Sequence, residues 1–151
     1  MITRRSRAQR EEQAVRADPM EGKTLIGIDP GTNVLGYGVL QIRNGQPQCR
    51  VLGVVTLGKY GDRYQKLRHI FERVSALVRE YRPDEMALEA PFYGENVQSM
   101  LKLGRAQGVA MVAALTQGIP VFEYSPRRIK QAITGQGGAS KEQVAALLQK
   151  I

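Results

Sequence analysis

Residues 24–31 read TLIGIDPG, and the architecture of the chain follows from this segment. From Thr24 to Ile28 the residues are apolar or β-branched, as in a buried strand. Pro30 cannot donate a ladder hydrogen bond and Gly31 permits a positive φ, so the strand should stop just after Asp29 and turn. An aspartate is thereby placed at a strand end.

Downstream, the alternating stretches Gly36 to Ile42 and Val51 to Leu57 predict two further strands, giving a three-stranded meander with a turn at Gly45 to Pro47. Between Asp62 and Tyr81, apolar residues recur at Leu67, Ile70, Phe71, Val74, Leu77, Val78 and Tyr81, the spacing of an amphipathic helix. Arg82-Pro83 should end it. Glu85 to Ala90 then reads as a short strand. Because it follows a helical crossover, it should lie parallel to an earlier strand and end before Pro91.

Asn96 to Gln117 is a second helical pattern rich in small residues, among them Gly104, Ala106, Gly108, Ala110, Ala113 and Ala114. Small faces permit close approach, either to the sheet or to a second subunit. Pro120 to Tyr124 predicts another strand, and Pro126 to Ile133 a short helix with proline in its first turn. After a glycine-rich loop, Ser140 is placed to cap a last helix with Gln143 as its reciprocal partner. The order βββαβαβα specifies an α/β architecture on a mixed sheet of five strands.

If the strands ending at Asp29 and Glu89 pair in parallel, their carboxylates lie side by side at one sheet edge. Adjacent carboxylates repel unless a proton or cation sits between them, and hard oxygen ligands beside phosphate suit Mg²⁺. The alternatives are an Asp29 that caps its own Asp-Pro-Gly turn and a Glu89 that pairs with a basic residue.

Composition narrows the partners. The chain carries a formal charge of +8, and from Lys23 onward 17 basic residues face 10 acidic ones, a balance of +7. The folded part is therefore basic in its own right, which favours a polyanion. The first 22 residues hold five arginines and four acidic residues with little apolar content, and they read as a disordered tail or leader, with Met20 an alternative start. No apolar run approaches the roughly 20 residues of a membrane span. A single cysteine, Cys49, allows no internal disulfide and is expected to be half-buried; the compartment expected is the cytoplasm. His69 is expected at the surface.

Three separated blocks, LIGIDPGTNVLGYGVL, MALEAPFYGENVQSMLKLGRAQGVAMVAAL and PVFEYSPRRIKQAITGQGGASKEQV, resemble the RuvC family of bacterial Holliday-junction resolvases in order and spacing. The resemblance implies an RNase H-like fold over residues 23–151, a homodimer, and paired Mg²⁺-dependent nicking of four-way DNA junctions in recombination and repair. It further implies work alongside the RuvA–RuvB branch-migration complex, with no role for a membrane. By position, Asp29 and Glu89 match two catalytic metal-binding acids, which in the family hold two Mg²⁺ per active site. Phe92 matches an aromatic residue placed at the junction centre, although a core phenylalanine is equally compatible with its residue type. Lys130 and Lys141 match basic positions near the scissile DNA, with Arg127 and Arg128 adding charge beside them.

The family carries two further metal ligands on a final helix that would begin beyond Ile151, so the domain is expected to be truncated at its C-terminus. A chain of this extent is expected to cleave weakly or not at all. Rivals are an actin-like or sugar-kinase phosphate loop, which needs two such domains, and an RNase H-like RNA-processing nuclease. A non-catalytic binder of junction DNA is the third.

Overall fold

A computed structural model describes residues 20–91, 94–138, 140, 142 and 143 of the chain. In order, the elements are β1 (Thr24–Asp29), β2 (Val34–Arg43), β3 (Gln46–Thr56), α1 (Arg63–Tyr81), β4 (Glu85–Glu89), α2 (Val97–Leu115), β5 (Val121–Tyr124) and α3 (Pro126–Thr134). The five strands form one sheet in the order β3-β2-β1-β4-β5. β1, β2 and β3 pair antiparallel, whereas β4 lies parallel to both β1 and β5, so the sheet is mixed as the sequence requires.

Strand alternation sorts the residues between the two faces. Ile26 and Ile28 of β1, Leu35 and Val39 of β2, and Met86 and Leu88 of β4 all turn into one core. That face is covered by Ile70, Val74, Leu77 and Val78 of α1 and by Ala106, Ala110, Ala113 and Ala114 of α2. Each large aliphatic residue removed from water there contributes roughly 1.5–3 kcal/mol before entropy is counted. The alanines of α2 contribute by letting the helix lie close.

Local signals explain the boundaries. The Asp62 carboxylate accepts from the Tyr64 amide at 2.8 Å at the start of α1. Arg82 ends that helix in the left-handed region with φ 45°, and buried Pro83 follows. The Ser125 hydroxyl caps α3, whose first residue is Pro126. Ser140 and Gln143 cap one another reciprocally, at 2.8 and 3.2 Å, as the sequence predicts.

Three local expectations are corrected. The hairpin turn is Asn44-Gly45, with φ of 54° and 68°, so β2 and β3 run longer than expected and Pro47 falls inside β3. An Asn-Gly pair accepts two consecutive positive φ values cheaply, and β3 is an edge strand, where proline is tolerated. The Glu21 carboxylate clasps this turn by accepting from the Asn44 and Gly45 amides, each at 3.0 Å. Cys49, on the same edge strand, is exposed rather than half-buried. His69 is half-buried, its Nδ1 3.3 Å from the Tyr60 hydroxyl and its ring 4.9 Å from that of Tyr60.

Candidate active site

The parallel pairing of β1 with β4 runs in register from Leu25 opposite Glu85 to Ile28 opposite Leu88. One residue further, Asp29 and Glu89 close the two strands side by side. Because Ile28 and Leu88 both turn into the core, their successors lie together on the opposite face of the sheet. The expected parallel pairing is thus present, and it leaves Asp29 and Glu89 at the adjoining C-terminal ends of neighbouring strands.

The turn after Asp29 differs in cause from its expected form. Gly31 does not have a positive φ. It is glycine because a Cβ there would collide with the Val34 carbonyl oxygen as the chain doubles back into β2. Opposite Asp29 in β2 stands Gly36, where an added Cβ would sit 3.6 Å from the Asp29 Cβ, so the aspartate faces no neighbouring side chain on that strand.

Asp29 is exposed, and its carboxylate makes no hydrogen bond or ion pair among the described residues; it does not cap its own turn. Glu89 is half-buried and backbone-locked. Its carbonyl accepts from Gln107 Nε2 at 2.7 Å, and the next amide, Ala90, donates to the Tyr124 carbonyl at 2.8 Å. Gln107 is 4% exposed. Sequence reasoning does not single it out; the one available signal is a lone amide on the buried alanine stripe of α2.

The basic residues arrive from the next strand. β5 pairs Tyr124 with Glu89, and α3 starts two residues later, so Arg127 and Arg128 leave the same sheet edge. Both are exposed, and Arg128 lies over the Tyr124 ring at 5.8 Å. The stem of Arg127 covers Gly137, where a Cβ would meet its Cγ at 2.6 Å. Lys130 is half-buried one turn further along α3. Phe92 and Lys141 lie outside the described residues.

Chemically the edge offers two hard carboxylate ligands of adjacent, like charge. Like charges at neighbouring strand ends repel, and water and salt screen that repulsion at an exposed group such as Asp29. A divalent cation removes that repulsion, and an exposed Asp29 carboxylate is available to it. The donor set therefore fits Mg²⁺ or a similar hard ion. Among the described residues no group of three or more His, Cys, Asp or Glu side chains gathers to complete a metal cage.

The sequence model of the family described as "Crossover junction endodeoxyribonuclease RuvC" matches residues 25–151. The chain belongs to the RuvC family. A RuvC from Bacteroides fragilis is 58% identical over 133 residues, covering 88% of this chain and 71% of its own. One from Cytophaga hutchinsonii is 60% identical over 129 residues, covering 85% of this chain and 64% of its own. This chain thus spans about two thirds of the length of these relatives. The solved RuvC of Thermus thermophilus superimposes with TM-score 0.76 at 32% identity, over 85% of this chain and 79% of that one. The same protein in complex with a Holliday junction substrate gives TM-score 0.79 at 32% identity, over 85% and 78%. The RuvC-type, RNase H-like sheet expected from sequence is therefore the fold found.

Proposed function

We propose that this chain carries the nuclease domain of a structure-specific DNA endonuclease that resolves four-way junctions by paired, metal-dependent nicks during recombination and repair. The observation that carries this is the parallel pairing of β1 with β4, which ends the two strands side by side at Asp29 and Glu89, in a RuvC-family chain whose Thermus thermophilus relative is solved with a Holliday junction substrate. In this reading residues 23–151 belong to the nuclease domain and residues 1–22 are a tail or leader.

Asp29 and Glu89 would hold Mg²⁺, two ions per site, whose chemistry there is to lower the pKa of water and to neutralise charge on the phosphodiester. The chain's own contribution is placement. The Gly31 turn fixes where Asp29 leaves the sheet, Gln107 holds the Glu89 carbonyl, and the Tyr124 carbonyl holds the Ala90 amide that follows it. Arg127, Arg128, Lys130 and Lys141 would neutralise phosphates flanking the cleaved bond, and Phe92 would stack on a base at the junction centre.

Paired nicks require two such sites, and α2 supports a homodimer. Its alanines face the core, but Leu101, Gly104, Gly108, Val112 and Leu115 form a second stripe away from it. Leu101, Val112 and Leu115 are 53%, 49% and 55% exposed. An added Cβ at Gly104 or Gly108 would meet nothing within 4 Å. Each glycine costs the helix about 1 kcal/mol against alanine, with no compensating packing among the described residues. Close approach of a second α2 supplies the reason. No helix among the described residues is long and apolar enough to cross a membrane. We place the protein in the cytoplasm with the chromosome, acting alongside the RuvA–RuvB branch-migration complex.

The test is nicking of a labelled four-way junction against matched linear duplex, with Mg²⁺ or EDTA, by this chain and by the chain extended at its C-terminus. Symmetric, Mg²⁺-dependent nicks confined to the junction are expected from the extended form. Cleavage of structured RNA in preference to the junction would transfer the site to RNA processing.

A further inference from the structure

Outside the carboxylate edge, the described residues enclose a cleft of about 430 Å³ between the first turns of α1 and α2. One wall is the loop Gly31 to Asn33, directly after the Asp-Pro turn; another is the α2 stripe Gln98, Leu101, Lys102 and Arg105. Arg63 and Lys66 of α1 also line it, so four cations and no acidic side chain border the space among the described residues. Lys66 Nζ donates to Asn33 Oδ1 at 3.1 Å, which ties α1 to the loop leaving the active site. The exposed Tyr64 ring stands beside these charges, with the Arg63 guanidinium 5.0 Å from its centroid.

We propose that this cleft is a second DNA-binding site, which takes backbone phosphates of the substrate strand on the side of the cleavage point that faces α2. The inference rests on the nuclease reading of Asp29 and Glu89. Four clustered cations without acidic partners repel one another, and a polyanion relieves that repulsion. Position selects the polyanion. Gly31 is two residues from Asp29, within about 7.6 Å by chain length, and phosphates recur about every 3.4 Å of axis along a strand. A strand lying across the carboxylates therefore reaches the cleft within a few nucleotides. An exposed aromatic ring beside the cations suits a nucleic acid better than a small anion. Leu101 belongs to the apolar stripe of α2 and Arg105 borders it, so in the proposed dimer the cleft lies between the active site and the partner subunit.

The experiment measures junction affinity in EDTA as a function of salt, for the wild type, the Lys66→Ala/Lys102→Ala double variant and an Arg43→Ala/Arg79→Ala control. Arg43 is at the far end of β2 and Arg79 in the last turn of α1, away from the cleft. The cleft variant should bind at least tenfold more weakly, and its log–log salt slope should fall by about 2, close to one for each phosphate that is no longer neutralised. The control should keep the wild-type slope. A cleft variant that behaves like the control overturns the proposal. So does one that becomes monomeric in light scattering, because the cleft would then be a subunit interface. If the wild type does not prefer junction to duplex, the resolvase reading fails, while the slopes on duplex still decide whether the cleft holds phosphate.

Discussion

Gln107 Nε2 donates to the carbonyl oxygen of Glu89 across 2.7 Å, from a helix position that is 4% exposed. A buried amide is costly to desolvate, and this one is offset by a single strong acceptor at the last residue of β4. The bond joins the layer of helices to the point where the second carboxylate leaves the sheet.

Gln107→Leu preserves the size and burial of the side chain and leaves the Glu89 carbonyl without its donor, a local cost of about 1–3 kcal/mol. Cleavage by the extended chain should fall at least tenfold, and the Mg²⁺ concentration for half-maximal cleavage should rise. Junction affinity in EDTA should stay within twofold. A purely structural role would lower stability without moving the metal midpoint, so metal titration and a melting curve together separate the two.

Asp29→Asn removes one of two adjacent like charges. In EDTA at neutral pH the variant should be at least as stable as the wild type, read as an equal or higher Tm. Added Mg²⁺ should stabilise the wild type and leave the variant nearly unchanged. Equal responses of the two proteins to Mg²⁺ would mean that Asp29 holds no ion.

Gly31→Ala places a methyl group against the Val34 carbonyl oxygen and must displace the turn. A drop of about 1–3 kcal/mol in stability is expected, measured by urea unfolding. Gly61→Ala serves as the comparison, because a Cβ there meets nothing within 4 Å. Similar drops at both positions would contradict the steric reading.

The α2 stripe yields a separate expectation. Gly108→Arg adds a charged side chain where the described residues leave open space, so the fold should survive with an unchanged circular dichroism spectrum. Light scattering should report a monomer in place of a dimer, and any nicks should become unpaired. A variant that remains dimeric would move the interface off this face.

Much of the fold is legible in the sequence because local signals agree with it. The apolar run ended by Asp29-Pro30 and the crossover into Glu89 together predict parallel neighbouring strands that end at the two acids, and β1 and β4 pair in that way. The Asn44-Gly45 turn is harder to place, because Pro47 resembles turn chemistry until strand order shows that β3 is an edge where proline fits. Gln107 and the cationic cleft are not legible at all. Each depends on which residues of α1, α2 and the β1–β2 loop meet in space, and periodicity within one helix does not carry that.

The most direct measurement is junction cleavage by the C-terminally extended chain beside its Asp29→Asn and Glu89→Gln variants, with binding measured in parallel. The parent should make paired nicks in Mg²⁺, either variant should cleave at least a thousandfold more slowly, and all three should retain junction binding. Cleavage that persists in both variants would contradict the assignment of this carboxylate pair as the active site.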